Sequence, residues 1–309
     1  MLRRRILNKP TEGNIDGKYQ VAANTSGQVY VSSDFGATWN LVLNTNTSHS
    51  FRDCSISENG MYISVTEDFG YLRVSSDYGA TWTMKGYGNW RGISMSRSGQ
   101  YQVAIQASSG YIYTSSDYGV NWTQRMAMNA WSCTVNANGQ YALIGSAGYY
   151  LYGSSDYGVN WSSKYNLSTD WVSCDIDSSG QKQYAVRQSG AYGYLIESED
   201  YGTNWSQKDG NAWRVIKVSD NAQYRIAIDD FGGGRTIKNT ANFGSNWTYR
   251  TLPAGIGDIA NVAISGGGQY QTVTTNVGYI VVSSDFGVTW TQIVKSGNFA
   301  GIAINKNSL

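Results

Sequence analysis

The chain alternates short apolar runs with clusters of Gly, Ser, Asn and Asp, and it sustains no 3.6-residue periodicity anywhere. The runs are rich in Val, Ile, Tyr, Thr and Trp, residues that suit a pleated, half-buried surface. Trp90–Ser96, Tyr101–Gln106, Tyr111–Ser115 and Trp122–Arg125 read as four strands. A Gly turn follows the first, a small loop the second and an Asp-containing turn the third.

That four-strand pattern recurs along the whole chain. SSDFGATW ends at Trp39, SSDYGATW at Trp82, SSDYGVNW at Trp122 and at Trp161. SEDYGTNW ends at Trp205, NTANFGSNW at Trp247 and SSDFGVTW at Trp290. The tryptophans are 43, 40, 39, 44, 42 and 43 residues apart, which assigns nearly all of the 309 residues to seven units. A second signature marks strand two, with Tyr101, Tyr141, Tyr224 and Tyr270 in clear copies and Tyr19, Tyr62 and Tyr184 in weaker ones. Four-stranded units at this period predict a β-propeller.

The chain ends extend the pattern. The first unit opens at the strand-two signature GKYQVAA, and the C-terminal NFAGIAIN matches the strand-one segment NWRGISMS. The C-terminal strand is therefore expected to complete the N-terminal blade and remove a sheet edge. The expected fold is all-β: a seven-bladed β-propeller of four-stranded antiparallel blades, the ring closed by that strand. Expected blades are 17–43 plus 298–305, 51–84, 90–124, 131–163, 171–207, 213–249 and 258–293, a single domain 17–309 after a leader 1–16.

The segment S-x-D-x-G-x-x-W resembles the Asp-box, or BNR repeat, of sialidase-like propellers. Six copies match and the seventh carries Asn242. That family includes sialidases, xyloglucan-cleaving enzymes, sorting-receptor ectodomains, photosystem II assembly factors and lectin-like modules, so the resemblance implies the fold and leaves the function open. It also implies that the boxes lie away from the ligand face. Asp34, Asp77, Asp117, Asp156, Asp200, Asn242 and Asp285 are expected to be turn clips, because a short side-chain oxygen can accept bonds from its own turn.

Charge narrows the partners. Lys and Arg number 23 against 22 Asp and Glu, a net charge of +1, so no basic field tracks a phosphate backbone and no nucleic-acid partner is expected. No apolar run approaches the ~20 residues of a membrane span, so no membrane insertion is expected. The opening MLRRRIL lacks the apolar core of a signal peptide, which points to a cytoplasmic or virion-associated protein. It resembles openings of structural proteins of phages of gut bacteria, which implies a virion or receptor-binding role with the leader docked to a larger assembly.

The three cysteines, Cys54, Cys133 and Cys174, each lie six residues before a strand-two Gly, where other units carry Ile93, Ile216 and Val262. They are expected to be core residues, with no disulfide, metal or cofactor. His49 is expected to be solvated in the linker NTNTSHS.

Seven of the 11 tryptophans belong to the boxes. Trp90, Trp131, Trp171 and Trp213, with Phe51 and Phe299, start strand one and are expected to ring the channel mouth. The ring is either a packing layer or a stacking platform for sugars. Asn89, Asp170, Arg52, Arg91 and Arg214 flank it and complete the candidate ligand site. Four loop acids, Glu67, Asp68, Asp229 and Asp230, are the minority candidates for catalysis; Asp170 and Asp175 are further carboxylates that a glycosidase pair could draw on. The favoured function is non-catalytic recognition of a glycan or surface ligand on the face opposite the boxes. A protein-binding scaffold using Arg52, Arg91 and Arg214 comes second, and a glycoside hydrolase third.

Overall fold

The computed structural model describes residues 16–307 apart from 47–48, 108–109, 190–191, 231–234 and 296. Most of the leader therefore lies outside the described residues, as do Phe231 and the glycines after it. Every regular element among the described residues is a β-strand, and no helix is long and apolar enough to cross a membrane.

The strands run in sheets that follow the repeat. The first holds β1 (Gln20–Asn24), β2 (Gln28–Ser32) and β3 (Asn40–Asn44). The second holds β4 (Ser50–Ile56), β5 (Ile63–Asp68), β6 (Gly70–Ser75) and β7 (Thr83–Gly88). The third holds β8 (Trp90–Met95), β9 (Gln102–Gln106), β10 (Tyr111–Ser115) and β11 (Thr123–Ala127). Then come β12 (Ala130–Val135), β13 (Ala142–Ser146), β14 (Tyr149–Ser154), β15 (Ser162–Ile176), β16 (Gln183–Ser189), β17 (Tyr192–Ser198) and β18 (Ser206–Asn211) in one seven-stranded sheet. A fifth holds β19 (Trp213–Val218), β20 (Arg225–Asp229), β21 (Thr236–Thr240) and β22 (Thr248–Arg250). The sixth holds β23 (Ile259–Ile264), β24 (Gln271–Thr275), β25 (Tyr279–Ser283) and β26 (Thr291–Lys295). The last strand, β27 (Phe299–Ile304), pairs antiparallel with β1 and joins the first sheet.

One sheet departs from the expected spacing. β15 is 15 residues long and serves as the fourth strand of one unit and the first of the next. The linker stays extended because Thr169 pairs with Tyr149 on one side while its hydroxyl donates to the Gln188 carbonyl on the other.

Burial grades across each unit. The second strands, such as β1, β9, β13, β20 and β24, are buried throughout, whereas β7 and β11 are largely exposed. A strand buried on both faces needs apolar or internally bonded side chains at every position. The core is correspondingly split into clusters between successive units. Val21 and Val31 meet Phe51 and Val65; Leu72 meets Trp90; Ile112 meets Ile144; Leu151 meets Trp171. Leu195 meets Trp213, Ile228 meets Val262, and Ile280 meets Phe299 and Ala22. Cys54, Cys133 and Cys174 are free thiols in these clusters, as expected, and burial pushes each thiol up, Cys174 to about 11.

The box turns repeat in atomic detail. In the first, the Ser32 hydroxyl donates to Asp34 Oδ1 (2.8 Å) and accepts the Gly36 amide (2.9 Å). Asp34 then accepts the Thr38 amide (2.8 Å) and hydroxyl (2.6 Å), and the Trp39 indole donates to the Gly36 carbonyl (3.0 Å). Asn242 keeps the same role, accepting the Asn246 amide at 3.0 Å. The turn requires positive φ at two successive residues, Phe35 (63°) and Gly36 (86°) in this copy. The aromatic so placed reaches the strand-two tyrosine of the preceding unit: Tyr62 stacks on Tyr118 and Tyr101 packs at a tilt against Tyr157, both with centroids 4.5 Å apart.

Asp16, assigned by sequence to the leader, is buried and belongs to the fold. Its carboxylate accepts the amides of Gly266 (2.7 Å), Gly267 (2.8 Å) and Asn307 (2.9 Å).

Candidate functional site

The innermost strand of each unit carries a β-bulge at the same place. Pairing skips one residue between Phe51 and Asp53, Trp90 and Gly92, Ala130 and Ser132, and Trp171 and Ser173. It skips again between Trp213 and Val215, Ile259 and Asn261, and Phe299 and Gly301. A bulge leaves its extra residue unpaired and re-aims its side chain. Here the extra residues are Arg52, Arg91, Trp131, Val172, Arg214, Ala260 and Ala300, and all line one central cavity of about 550 Å3. Arg52, Arg91 and Trp131 come from successive units, Arg214 follows after Val172, and the adjacent Ala260 and Ala300 are small.

The arginines differ in how they are held. Arg52 is clamped to Asp68, and Arg214 lies 3.6 Å from Asp230, which also faces Arg235 at 3.6 Å. The Arg91 guanidinium carbon lies over the Trp131 indole, 4.1 Å from the ring centroid. Among the described residues no ion pair joins Arg91 to a carboxylate. Burial and the neighbouring Arg52 charge pull the Arg91 guanidinium down from its ordinary value, with Asp68 opposing. Burial and Arg235 do the same to Arg214, with Asp230 opposing. The Trp131 indole donates to Asp170 at 3.3 Å, and the side chain stays 41% exposed.

Deeper in the cavity the residues four places after the buried aromatic include Ser55, Ser94, Asp175 and Lys217. Ser55 accepts the Met95 amide, Ser94 the Val135 amide and Asp175 the Val218 amide, so each fastens its unit to the next. A serine that accepts this way keeps its O–H free to donate into the cavity. Burial pulls the Lys217 ammonium down, but Asp175 and Asp53 outweigh it and hold the group above its usual value. Burial pushes the Asp53 carboxyl up to about 6, against the pull of Lys217 and of the Ile93 and Cys54 amides.

The sequence-derived candidates separate into three groups. Arg52, Arg91, Arg214, Trp131 and Asp170 converge on the mouth. Phe51, Trp90, Trp171, Trp213 and Phe299 do not: each is buried between units, so the packing layer describes them and none offers a face to a sugar. Trp131 is not their equivalent. It lies eight residues before Gly139, whereas Trp90 lies nine before Gly99, and the buried position in that unit is Ala130. Asn89 is half-buried and its carbonyl holds the Ala107 amide.

Glu67 and Asp68 lie in β5 and Asp229 ends β20, while Asp230 follows it in the loop, and all four face cations. Glu67 ends β5 fully buried, accepting the Tyr71 amide (2.8 Å) and pairing with Arg73 (3.3 Å). His49, half-exposed rather than freely solvated, sits 3.6 Å from the same carboxylate. Asp229 is buried against Lys238 (2.6 Å), whose ammonium also covers Trp213 and Tyr249. Strand register placed Arg73 and Lys238 on the neighbouring strand diagonally across from the acids, opposite Val65 and Ala227, a signal that no local motif carries.

Sheets that run from a bulged inner strand to an exposed outer one, each with its last two strands joined by an Asp-box turn, define a β-propeller built on Asp-box repeats. The BNR-Asp box repeat matches residues 112–124. No curated protein matches the chain. Among solved structures the chain is similar to YCF48 from Cyanidioschyzon merolae (16% identity, 80% of this chain and 87% of that one, TM-score 0.60). YCF48 bound to D1 peptide is similar to the same degree (15%, 89% and 85%, 0.59). So are the GH74 enzyme of Niastella koreensis (13%, 91% and 64%, 0.55) and the β-propeller domain of Cps50 (Swd1) from Myceliophteria thermophila (10%, 81% and 90%, 0.58). Identities this low speak for the fold alone.

Proposed function

We propose that the chain is a non-catalytic recognition propeller of seven blades, closed by its C-terminal strand, that binds a glycan or other surface ligand at the channel mouth opposite the Asp boxes. The convergence of Arg52, Arg91, Trp131 and Arg214, each a bulge residue, on one cavity carries this reading. Closure is supported by that cavity, which draws lining residues from seven inner strand segments.

A belt of hydrogen bonds supports it further. The Glu58 amide donates to the Arg97 carbonyl, Arg97 to Ala137, Ala137 to Ser178, Ser178 to Asp220, and Asp220 to Gly266. Gly266 donates to the Asp16 carboxylate, Asp16 accepts Asn307, and the Asn305 side chain donates back to the Glu58 carbonyl.

Glu67, Asp68, Asp229 and Asp230 are committed to Arg73, Arg52, Lys238, Arg214 and Arg235, and Asp175 to the Val218 amide and Lys306, which favours binding over hydrolysis. The rim alternates Arg with Asp and offers no continuous track for a nucleic-acid backbone. A protein-binding scaffold is the second reading, favoured by the likeness to YCF48, which is solved with a D1 peptide. A glycan array and a pull-down, each with wild type and the Arg91→Ala/Arg214→Ala pair, separate the two. Array binding lost in the pair supports the glycan reading. A salt-sensitive protein partner lost in the pair, with no array binding, replaces it with the scaffold.

A further inference from the structure

We infer that the mouth recognises an acidic sugar, a hexuronate unit of a glycan, with Arg91 taking its carboxylate and Trp131 supporting its ring; this rests on the mouth being the ligand site. The four long side chains of the bulge ring are unequal. Arg52 and Arg214 already face Asp68 and Asp230, whereas Arg91 is held by an aromatic face and repelled by Arg52. A guanidinium stacked on a ring keeps its in-plane N–H groups for a carboxylate, which it meets in a bidentate fork.

Lys217, whose charge is shared with Asp175 and Asp53, lines the same cavity, as do Ser55 and Ser94, whose hydroxyls accept backbone amides and keep a donor to give. Trp131 is the exposed aromatic of the bulge ring, and its partner Asp170 is placed to accept hydroxyl protons. The adjacent small residues Ala260 and Ala300 leave room beside the arginines for a pyranose.

The acids beside the bulge ring choose the class of ligand. Asp68 beside Arg52, Asp230 beside Arg214 and Asp170 beside Trp131 set negative charges next to the cations, so a run of negative charges meets repulsion there. A polyacidic peptide is disfavoured on that ground. A sugar with one carboxylate and several hydroxyls matches both the cations and the acceptors.

The test is calorimetric titration of the full chain with an oligogalacturonate, a neutral cello-oligosaccharide and poly-glutamate. The oligogalacturonate should bind, and added salt should weaken it. Arg91→Ala should weaken it by about tenfold or more, the scale of a lost charged hydrogen bond. Arg91→Lys should recover only part of that loss, and Trp131→Ala should weaken it too, each variant being checked for native circular dichroism. Equal binding of the neutral oligosaccharide, with no effect of Arg91→Ala, overturns the carboxylate assignment while leaving glycan recognition standing. Preference for poly-glutamate overturns the sugar class, and binding of none of the three overturns the inference together with its basis.

Discussion

At the scale of single residues, the molecule uses polar side chains as fasteners. Arg225 stands where other units carry Gln102, Gln183 and Gln271, and like them bonds a turn carbonyl three residues back. Its charge is matched by buried Glu197 at 3.0 Å, which also takes Lys208. Glu197→Thr should cost about 3–5 kcal/mol by leaving Arg225 buried and unmatched, and adding Arg225→Gln should recover most of it. Urea midpoints of the two singles and the double check this.

The box carboxylates give the opposite kind of signal. Hydrogen bonds from Thr81 hold Asp77 below its usual value, and in Asp117 bonds from Asn121 outweigh the upward push of burial. A depressed folded value stabilises above the unfolded one, so this contribution is lost as pH falls below about 4. Asp53, raised to about 6 by burial, works the other way: stability declines as pH rises from about 4 to about 6 and this group ionises. In a urea series across pH, Asp53→Asn should lack that decline and keep the acid limb.

At the scale of strands and turns, the repeat made much of the molecule legible. The box, the strand-two Tyr and the strand lengths sit at fixed spacing, and the turns formed where Gly and Asp marked them. What stayed hidden is what crosses between units. The Tyr101 ring lies against both Tyr157 and the Gly139 turn, where an added Cβ would meet it at 2.5 Å. Gly148 has a similar positive φ (76°, against 86° at Gly139) but nothing within 4 Å. Gly139→Ala should therefore lower stability by about 1–3 kcal/mol more than Gly148→Ala, the cost of overpacking beyond backbone strain, as read by thermal unfolding. Trp131 was legible in principle: counting back from Gly139 puts it one residue out of line with Trp90, and a one-residue slip flips a strand side chain to the other face. The pairing of Glu67 with Arg73 and His49 was not, because only strand register brings them together.

At the scale of the molecule, the first and last described segments are tied to each other. β27 supplies the inner strand for β1, and Asp16 takes three amides that no carbonyl of the belt reaches. Asp16→Ala strands those donors in a buried site and should lower stability by about 2–4 kcal/mol, read by chemical denaturation. Asp16→Asn, with a single acceptor oxygen, should fall between.

The mouth is where this symmetric scaffold becomes asymmetric, since the bulge gives every unit the same position and the sequence fills it with Arg, Trp, Val or Ala. That makes the location of the bound ligand the decisive observation. A crystal structure of the full chain with the tightest glycan from the array should show it over the mouth, touching Arg91 and Trp131. Ligand seated instead on the Asp-box turns, with the mouth empty, would contradict the assignment of the bulge ring as the recognition site.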